Sequence, residues 1–180
     1  MKYFELIPDP DTTNPIQLLK VDGKVYKNGL SEEEFKEIPP LSVGYFENLP
    51  ERELYDVLQE PAFLISDRVK RLIALYEPKM EFKGIQLFPE RENDSTMPLF
   101  WIPCLISVDC LSRQTEKYSN GMIKKLLLDS RGDYKHHIFR VGGILEHKVL
   151  ISLPLAESML RRRVSGIALV PVHFSQEEFR

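Results

Sequence analysis

Two stretches of the chain carry the same order of apolar and polar positions. Phe63-Leu64-Ile65-Ser66 opens the first, and Val149-Leu150-Ile151-Ser152 opens the second. Each short apolar run predicts a buried strand. Each serine predicts a helix N-cap, where a hydroxyl accepts from the free N–H groups of the first turn. Helical spacing follows: Val69, Leu72, Ile73 and Tyr76 fall at i, i+3, i+4 and i+7, and Leu155, Met159 and Leu160 form the stripe of the second unit. Asp67 in a first turn and Arg161-Arg162-Arg163 in a last turn suit the helix dipole. Pro78 stops the first helix, Pro154 fits the first turn of the second, and Gly166 predicts its left-handed end. Both units close on an apolar run ending in proline, Ile85-Gln86-Leu87-Phe88-Pro89 and Ile167-Ala168-Leu169-Val170-Pro171. The chain is therefore expected to hold two strand–Ser–helix–strand repeat units, about residues 63–89 and 149–172, with Leu72 and Leu150 on buried faces.

The remaining pattern is shorter-ranged. Lys2 to Leu6 alternates and predicts an opening strand, and Gln17–Val21 with Lys24–Tyr26 around Asp22-Gly23 predicts a hairpin. Ser31 followed by Glu34 predicts a capping box and a helix start, which Pro39-Pro40 ends. Leu41 to Phe46 predicts a strand, whereas Glu51 to Glu60 fits either a helix or an irregular acidic segment. Between the repeats, strands are expected at Leu99–Cys104, Ile123–Leu128 and His137–Val141. Glu92-Asn93-Asp94-Ser95, Asn120-Gly121, Arg131-Gly132-Asp133 and Gly142-Gly143 break the pattern around them. These segments read as a central β-meander. The expected fold class is α+β, a mixed β-sheet carrying two helices in a single domain over residues 1–180, with Ser175–Arg180 frayed.

Composition narrows the class. Hydrophobic residues at 43% and charged residues at 28% are ordinary for a globular protein, and no apolar stretch reaches the roughly 18 residues of a membrane span. Met1-Lys2-Tyr3-Phe4-Glu5-Leu6 meets Pro8 and Asp9 without a signal-peptide core, so a cytoplasmic protein without membrane association is expected. Cys104 and Cys110 are too few for a disulfide framework. Their even spacing would place both on one face of a strand as buried, reduced thiols. The net charge of −3 hides an asymmetry: residues 31–60 hold nine acids against Lys36 and Arg52, while residues 111–180 hold twelve Lys or Arg against seven acids. Such a split marks either a surface for a partner of opposite sign or two solvated faces of one fold.

Candidate chemistry is sparse. His136 and His137 adjoin on an expected strand, point to opposite faces, and do not readily share a metal. Asp109 with His136 and His137 is the one polar constellation for an enzyme or small-molecule site, and nothing in the sequence brings the three together. Ser66 and Ser152 lack the G-x-S-x-G elbow, and capping accounts for both. Gly142-Gly143 lacks the third glycine of a dinucleotide loop, and no Walker lysine, EF-hand, H-E-x-x-H or paired C-x-x-C occurs. No cofactor and no metal is expected. Arg161-Arg162-Arg163 is the only basic cluster, and a pI near 5.9 opposes a broad phosphate footprint, so no nucleic acid is expected as a partner.

Taken in order, several short segments resemble one bacterial family. They are Met1-Lys2-Tyr3-Phe4-Glu5-Leu6, Pro61-Ala62-Phe63-Leu64-Ile65-Ser66-Asp67-Arg68-Val69, Val108-Asp109-Cys110-Leu111, His137-Ile138-Phe139-Arg140, Val149-Leu150-Ile151-Ser152 and Ile167-Ala168-Leu169-Val170-Pro171-Val172. The family is of unknown biochemical function and is classed among the immunity proteins of polymorphic toxin systems. The resemblance runs from Met1 to His173 through an F-L-I-S helix unit, a V-D-C-L turn, an H-I-F-R strand and a closing x-P-V strand, and leaves 28–60 unmatched. It implies a non-catalytic protein that binds and neutralises a cognate bacterial toxin, and it supplies no catalytic residues. Toxins of this class are often basic nucleases, so Glu32, Glu33, Glu34, Glu37, Glu47, Glu51, Glu53 and Asp56 are the expected partner-binding residues. A small-molecule-binding protein or enzyme with a polar site near Asp109, His136 and His137 is the alternative. A concave pocket of convergent polar groups marks that reading, and a flat acidic face marks the binder.

Overall fold

The capping box at Ser31 forms as the sequence requires. Glu34 N donates to Ser31 Oγ at 3.2 Å and Ser31 N donates to the Glu34 carboxylate at 2.8 Å, which starts a six-residue helix that buries Phe35. The structure, a computed structural model, describes residues 1–21, 28–47, 51–90, 97–132 and 134–175. The expected Asp22-Gly23 turn, the Lys24–Tyr26 strand, the break at Glu92-Asn93-Asp94-Ser95 and all but the first residue of the Ser175–Arg180 tail lie outside these.

The elements run in this order. First come β1 (Tyr3–Ile7), β2 (Gln17–Val21), α1 (Glu32–Glu37), β3 (Leu41–Glu47), β4 (Val57–Leu58), β5 (Leu64–Ser66) and α2 (Asp67–Tyr76). Then follow β6 (Phe82–Pro89), β7 (Leu99–Pro103), β8 (Ser107–Val108), β9 (Glu116–Lys117), β10 (Ile123–Lys125) and β11 (Leu127–Leu128). The chain closes with β12 (Ile138–Val141), β13 (Val149–Ser152), α3 (Leu153–Arg161) and β14 (Ala168–Phe174). The class is α+β, as expected, but the strands form two six-stranded mixed sheets rather than one. The stretch read as a meander is shared out: β7 joins the first sheet, β8 and β11 join the second, and β9–β10 is a separate hairpin. Residues 51–56 are irregular and lead into β4, which settles the Glu51–Glu60 alternatives against a helix.

The two repeats are halves of a duplicated architecture. One sheet reads β4-β5-β7-β6-β3-β2 and the other reads β8-β12-β13-β1-β14-β11. Aligning β5 with β13 aligns β4 with β12, β7 with β1, β6 with β14 and β3 with β11. Every neighbouring pair then keeps its sense: three antiparallel contacts followed by one parallel contact. In each half the strand leading into the helix and the strand leaving it are parallel, with one antiparallel strand between them. That middle strand is β7 in the first half, which follows β6 directly. In the second half it is β1, supplied from residues 3–7.

Side chains follow the same correspondence. Phe63, Ile65 and Val57 of one half, and Val149, Ile151 and Ile138 of the other, enter one core with the helix residues Val69, Leu72, Ile73, Leu155, Ala156 and Met159. A second core lies on the opposite face of the first sheet, where Leu64, Ile85, Leu87, Phe100 and Ile102 meet Phe35 and Ile38. A third, on the opposite face of the second sheet, holds Tyr3, Leu128, Phe139, Val141 and Leu150. Alternation along each strand sends successive residues to different cores. Cys104 packs against the second core and Cys110 lies in the third, so the two free thiols do not share a face of one strand.

Two expected helix ends need correction. Ser66 and Ser152 do occupy the N-cap positions, but neither side chain makes a capping hydrogen bond. Gly166 is not the C-terminal residue of α3, which ends at Arg161 and turns through Arg163 at φ 51°. Gly166 sits at φ +81°, where a Cβ would stand 2.5 Å from the Val57 carbonyl oxygen and 2.8 Å from Tyr55 Cβ. It is glycine because the two halves touch there, backbone against backbone.

Leu72 and Leu150 are both buried, in different cores. Leu72→Ala and Leu150→Ala are each expected to lower stability by about 2–5 kcal/mol in chemical denaturation. A midpoint that stays put for both would refute the placement of these faces.

Candidate functional site

The two halves are joined at matching polar points. Asp56, just before β4, is buried and accepts from Ser66 Oγ at 2.8 Å, from the Ser165 backbone N–H at 2.9 Å and from Ser165 Oγ at 3.0 Å. Arg68, in the first turn of α2, forms a bidentate ion pair with the same carboxylate and donates to the carbonyls of Arg162 and Arg163 at 3.1 Å. Burial alone would raise the Asp56 pKa, but the donors from Arg68, Ser165 and Ser66 outweigh it and hold the carboxyl at about 2. The start of α2 is thereby tied to the residues that follow α3.

His137 takes the equivalent place before β12. Its Nδ1 lies 2.7 Å from Ser152 Oγ, and its backbone carbonyl accepts from Ser152 N at 2.8 Å, as that of Asp56 accepts from Ser66 N at 2.7 Å. The His137 N–H donates to Glu77, the residue capping the end of α2, and the His137 ring packs edge-on against Tyr76. Tyr76 Oη bonds Ser158 Oγ and donates to the Pro154 carbonyl at 3.1 Å. Ser66 and Ser152 therefore hold Asp56 and His137, the residues that reach the other half, rather than their own helix starts.

This geometry places the expected site residues. Asp109 follows β8, which pairs with Arg140 and Val141, so it stands at the opposite end of β12 from His137. His136 faces Glu77, with Nδ1 3.5 Å from the carboxylate. The three do not converge. Among the eight acids, Asp56 is a buried joint, Glu47 pairs with Arg52 at 2.8 Å, and Glu53 accepts from Tyr55 Oη. Glu34 closes the capping box. Glu32, Glu33 and Glu37 on α1, and Glu51, are exposed and form no ion pair among the described residues. Residues 31–60 are thus an acidic helix beside an internally consumed segment, not one acidic face.

A concave site does exist where the two halves meet, and the sequence reading missed it. The hairpin loops β4–β5 and β12–β13 share a cleft of about 540 Å³, lined by Asn28, Glu60, Ser107, Arg140, Glu146 and His147 among others. It leads to a recess of about 30 Å³ between Phe35, Phe63, Ile102 and Leu105, with Ser31 and Glu32 at its edge. Arg140 lines both parts, is half-buried, and has no hydrogen-bond or ion-pair partner among the described residues. Its Nη1 lies 3.1 Å from where a Cβ on Gly29, at φ +81°, would stand. Beside it the His147 ring nitrogens are buried without hydrogen-bond partners among the described residues. Burial first, then the Arg140 charge, push the imidazole down from 6.5 to about 4, so the ring is neutral at pH 7. The one signal in the sequence is Arg140 following the apolar Ile138-Phe139, a pattern that a strand alone accounts for.

No protein-family model matches the chain, and no curated protein matches it. Among the described residues, no group of three or more His, Cys, Asp or Glu is placed to hold a metal, and no helix is long and apolar enough to cross a membrane.

Two pH windows follow. Asp56 titrates lower in the folded chain than in the unfolded one, so its stabilisation is complete above about pH 4 and is lost as pH falls towards 2. His147 is a base held neutral: as pH falls from 6.5 towards 4 the unfolded chain takes up the proton first, and stability drops across that range. Denaturation followed from pH 7 to 2 is expected to show both steps. Asp56→Asn should remove the lower and His147→Asn the upper, and a step surviving its own substitution would refute the assignment. Asp56→Ala should cost about 2–4 kcal/mol because it strands the Ser165 donors and Arg68. Arg68→Ala should cost less, since Ser66 and Ser165 still bind the carboxylate.

Proposed function

We propose that this chain is a non-catalytic, cytoplasmic, immunity-type protein that binds a bacterial toxin domain of basic surface and blocks it stoichiometrically. The observation that carries the reading is the pairing state of the acids. Glu47, Glu53 and Asp56 are engaged within the fold, whereas Glu32, Glu33 and Glu37 project from a single short helix that carries one lysine, Lys36, and form no ion pair among the described residues. Unpaired like charges on one exposed helix contribute little to folding and repel one another mildly, so their value lies in attracting a partner of opposite sign. The helix is firmly held beneath, with Phe35 and Ile38 in the second core, so the charges are presented on a rigid base. Its first residues border the cleft, which brings the acidic helix and the concave seam onto one continuous surface. The order of the family-like segments supports the same reading, and the net charge of −3 argues against nucleic acid as the partner.

The test is protection of cells that express the toxin encoded beside this chain, with a thermal melt of each variant. The triple change Glu32→Lys, Glu33→Lys, Glu37→Lys is expected to leave the melt within a few degrees, since exposed charges change stability little. Association should slow about tenfold or more and lose its salt dependence, because steering charges act on the on-rate. Full protection with an unchanged association rate would refute the role of α1.

A further inference from the structure

We propose that the cleft between the halves is a docking site for an acidic segment of a partner polypeptide. Arg140 would receive a carboxylate there, and a ledge of Leu145, Met122 and Tyr118 would receive an apolar side chain. The inference rests on the reading of the chain as a protein binder and names a second contact with that partner, chemically distinct from α1.

Arg140 is the starting point. β12 and β4 occupy equivalent places in the two halves, and Ile138 and Phe139 correspond to Val57 and Leu58, so Arg140 corresponds to Gln59. One half fills this position with a neutral amide, so the fold itself asks for no charge there. The other half places a guanidinium in a cleft, half out of water, with no carboxylate within ion-pairing distance among the described residues. A partly desolvated cation without a counter-charge is destabilising on its own, and its planar fork matches a carboxylate in bidentate fashion. Glu60 lines the same cleft, but it faces Asn28 Nδ2 at 3.5 Å and forms no ion pair with Arg140. Glu146 lines the cleft as well, but its Oε1 accepts from the Ile123 N–H at 2.6 Å and it forms no ion pair with Arg140.

The ledge fixes the kind of ligand. Leu145, on the cleft wall, is 80% exposed, and at the tip of the β9–β10 hairpin Tyr118 and Met122 are 55% and 45% exposed. The tip and Leu145 are in contact range, since a Cβ on Gly121 would lie 3.7 Å from Leu145 Cδ1. Tyr118 N donates to the Met122 carbonyl at 2.8 Å, so three large exposed apolar residues gather around Gly121, and such a cluster marks an interaction surface. Lys117 and Lys125 flank this tip, exposed and without ion pairs among the described residues, so the charge around the ledge has the same sign as Arg140. A small organic acid would satisfy Arg140 and leave the ledge bare. A polypeptide segment carrying acidic and apolar side chains covers both.

The experiment is fluorescence anisotropy on the whole chain at low salt. The probe is a labelled, capped peptide of alternating Glu and Leu or Phe, the control is the same peptide with Gln for Glu, and glutarate is the competitor. Saturable binding of the acidic peptide is expected, weaker by about tenfold or more for the Gln peptide and for Arg140→Gln. Arg140→Gln installs the side chain that the equivalent position already carries, so an unchanged melt is expected. Leu145→Ser, at an exposed position, gives a second variant that should also weaken binding. No saturable binding, equal binding of the two peptides, or binding indifferent to both substitutions would overturn the proposal. Glutarate binding as tightly as the peptide would overturn the choice of a polypeptide. The assay contains no toxin, so a failure of the α1 charges in cells leaves its outcome unchanged.

Discussion

The structure depends on how the two antiparallel helices are fastened end to end. At one end Asp56 gathers Ser66 and Arg68 from the start of α2 and Ser165 from beyond α3. At the other, His137 contacts Ser152 at the start of α3 and Glu77 at the end of α2. A shared apolar core between two sheets is non-directional: it favours association of the halves but fixes neither their register nor their orientation. The buried polar contacts do fix it, because sliding one helix along the other would strand Asp56 away from its donors in a low-dielectric setting, where an unpaired carboxylate is far more costly than in water. The two joints also differ in kind. One is ionic and persists to low pH. The other rests on the Glu77 carboxylate accepting from the His137 backbone N–H and on the Tyr76 ring packed edge-on against His137.

The sequence made the repeats legible because each is local. An apolar run, a serine and a 3.6-residue stripe occupy neighbouring positions, and the helices, their starts and the buried faces of Leu72 and Leu150 follow from that spacing alone. Three things were not legible, each for the same reason. The middle strand of the second half comes from residues 3–7, the serine hydroxyls bond Asp56 and His137 across a strand pair rather than their own helices, and Gly166 is glycine because the Val57 carbonyl lies against it. All three are set by tertiary partners, on which local periodicity is silent. A serine before a helix looks the same in sequence whether it caps that helix or clamps another segment.

The candidate site was legible only in part. Charge counting found residues 31–60 but could not separate acids used inside the fold from acids left outside. Glu47 and Glu53 each lie within five residues of their partners Arg52 and Tyr55, so local reading had the means to subtract them. Asp56 meets Arg68 and Ser165 only through the fold. The attraction of Asp109, His136 and His137 arose from residue type alone, and β12 separates Asp109 from the histidines along its length. Arg140 passed unnoticed because an arginine on a strand is ordinary. Its meaning comes from what fails to surround it.

Duplication explains why that cleft is available at all. When two copies of one unit pack together, the residues that build the shared core and its end joints are constrained in both. The two hairpin loops that meet at the seam are free to differ, since neither carries the helix contact. They have diverged. The β4–β5 loop is short and brings Glu60 and Pro61, whereas the β12–β13 loop is longer and brings Gly142, Gly143, Leu145, Glu146 and His147. The longer loop then supports the β9–β10 hairpin through Glu146 and the Ile123 N–H, an element with no counterpart in the first half. These two departures from the repeat, the longer loop and the hairpin it supports, meet beside Arg140. In a fold whose remaining positions are explained by packing, the places where the halves disagree are those that folding leaves free for recognition.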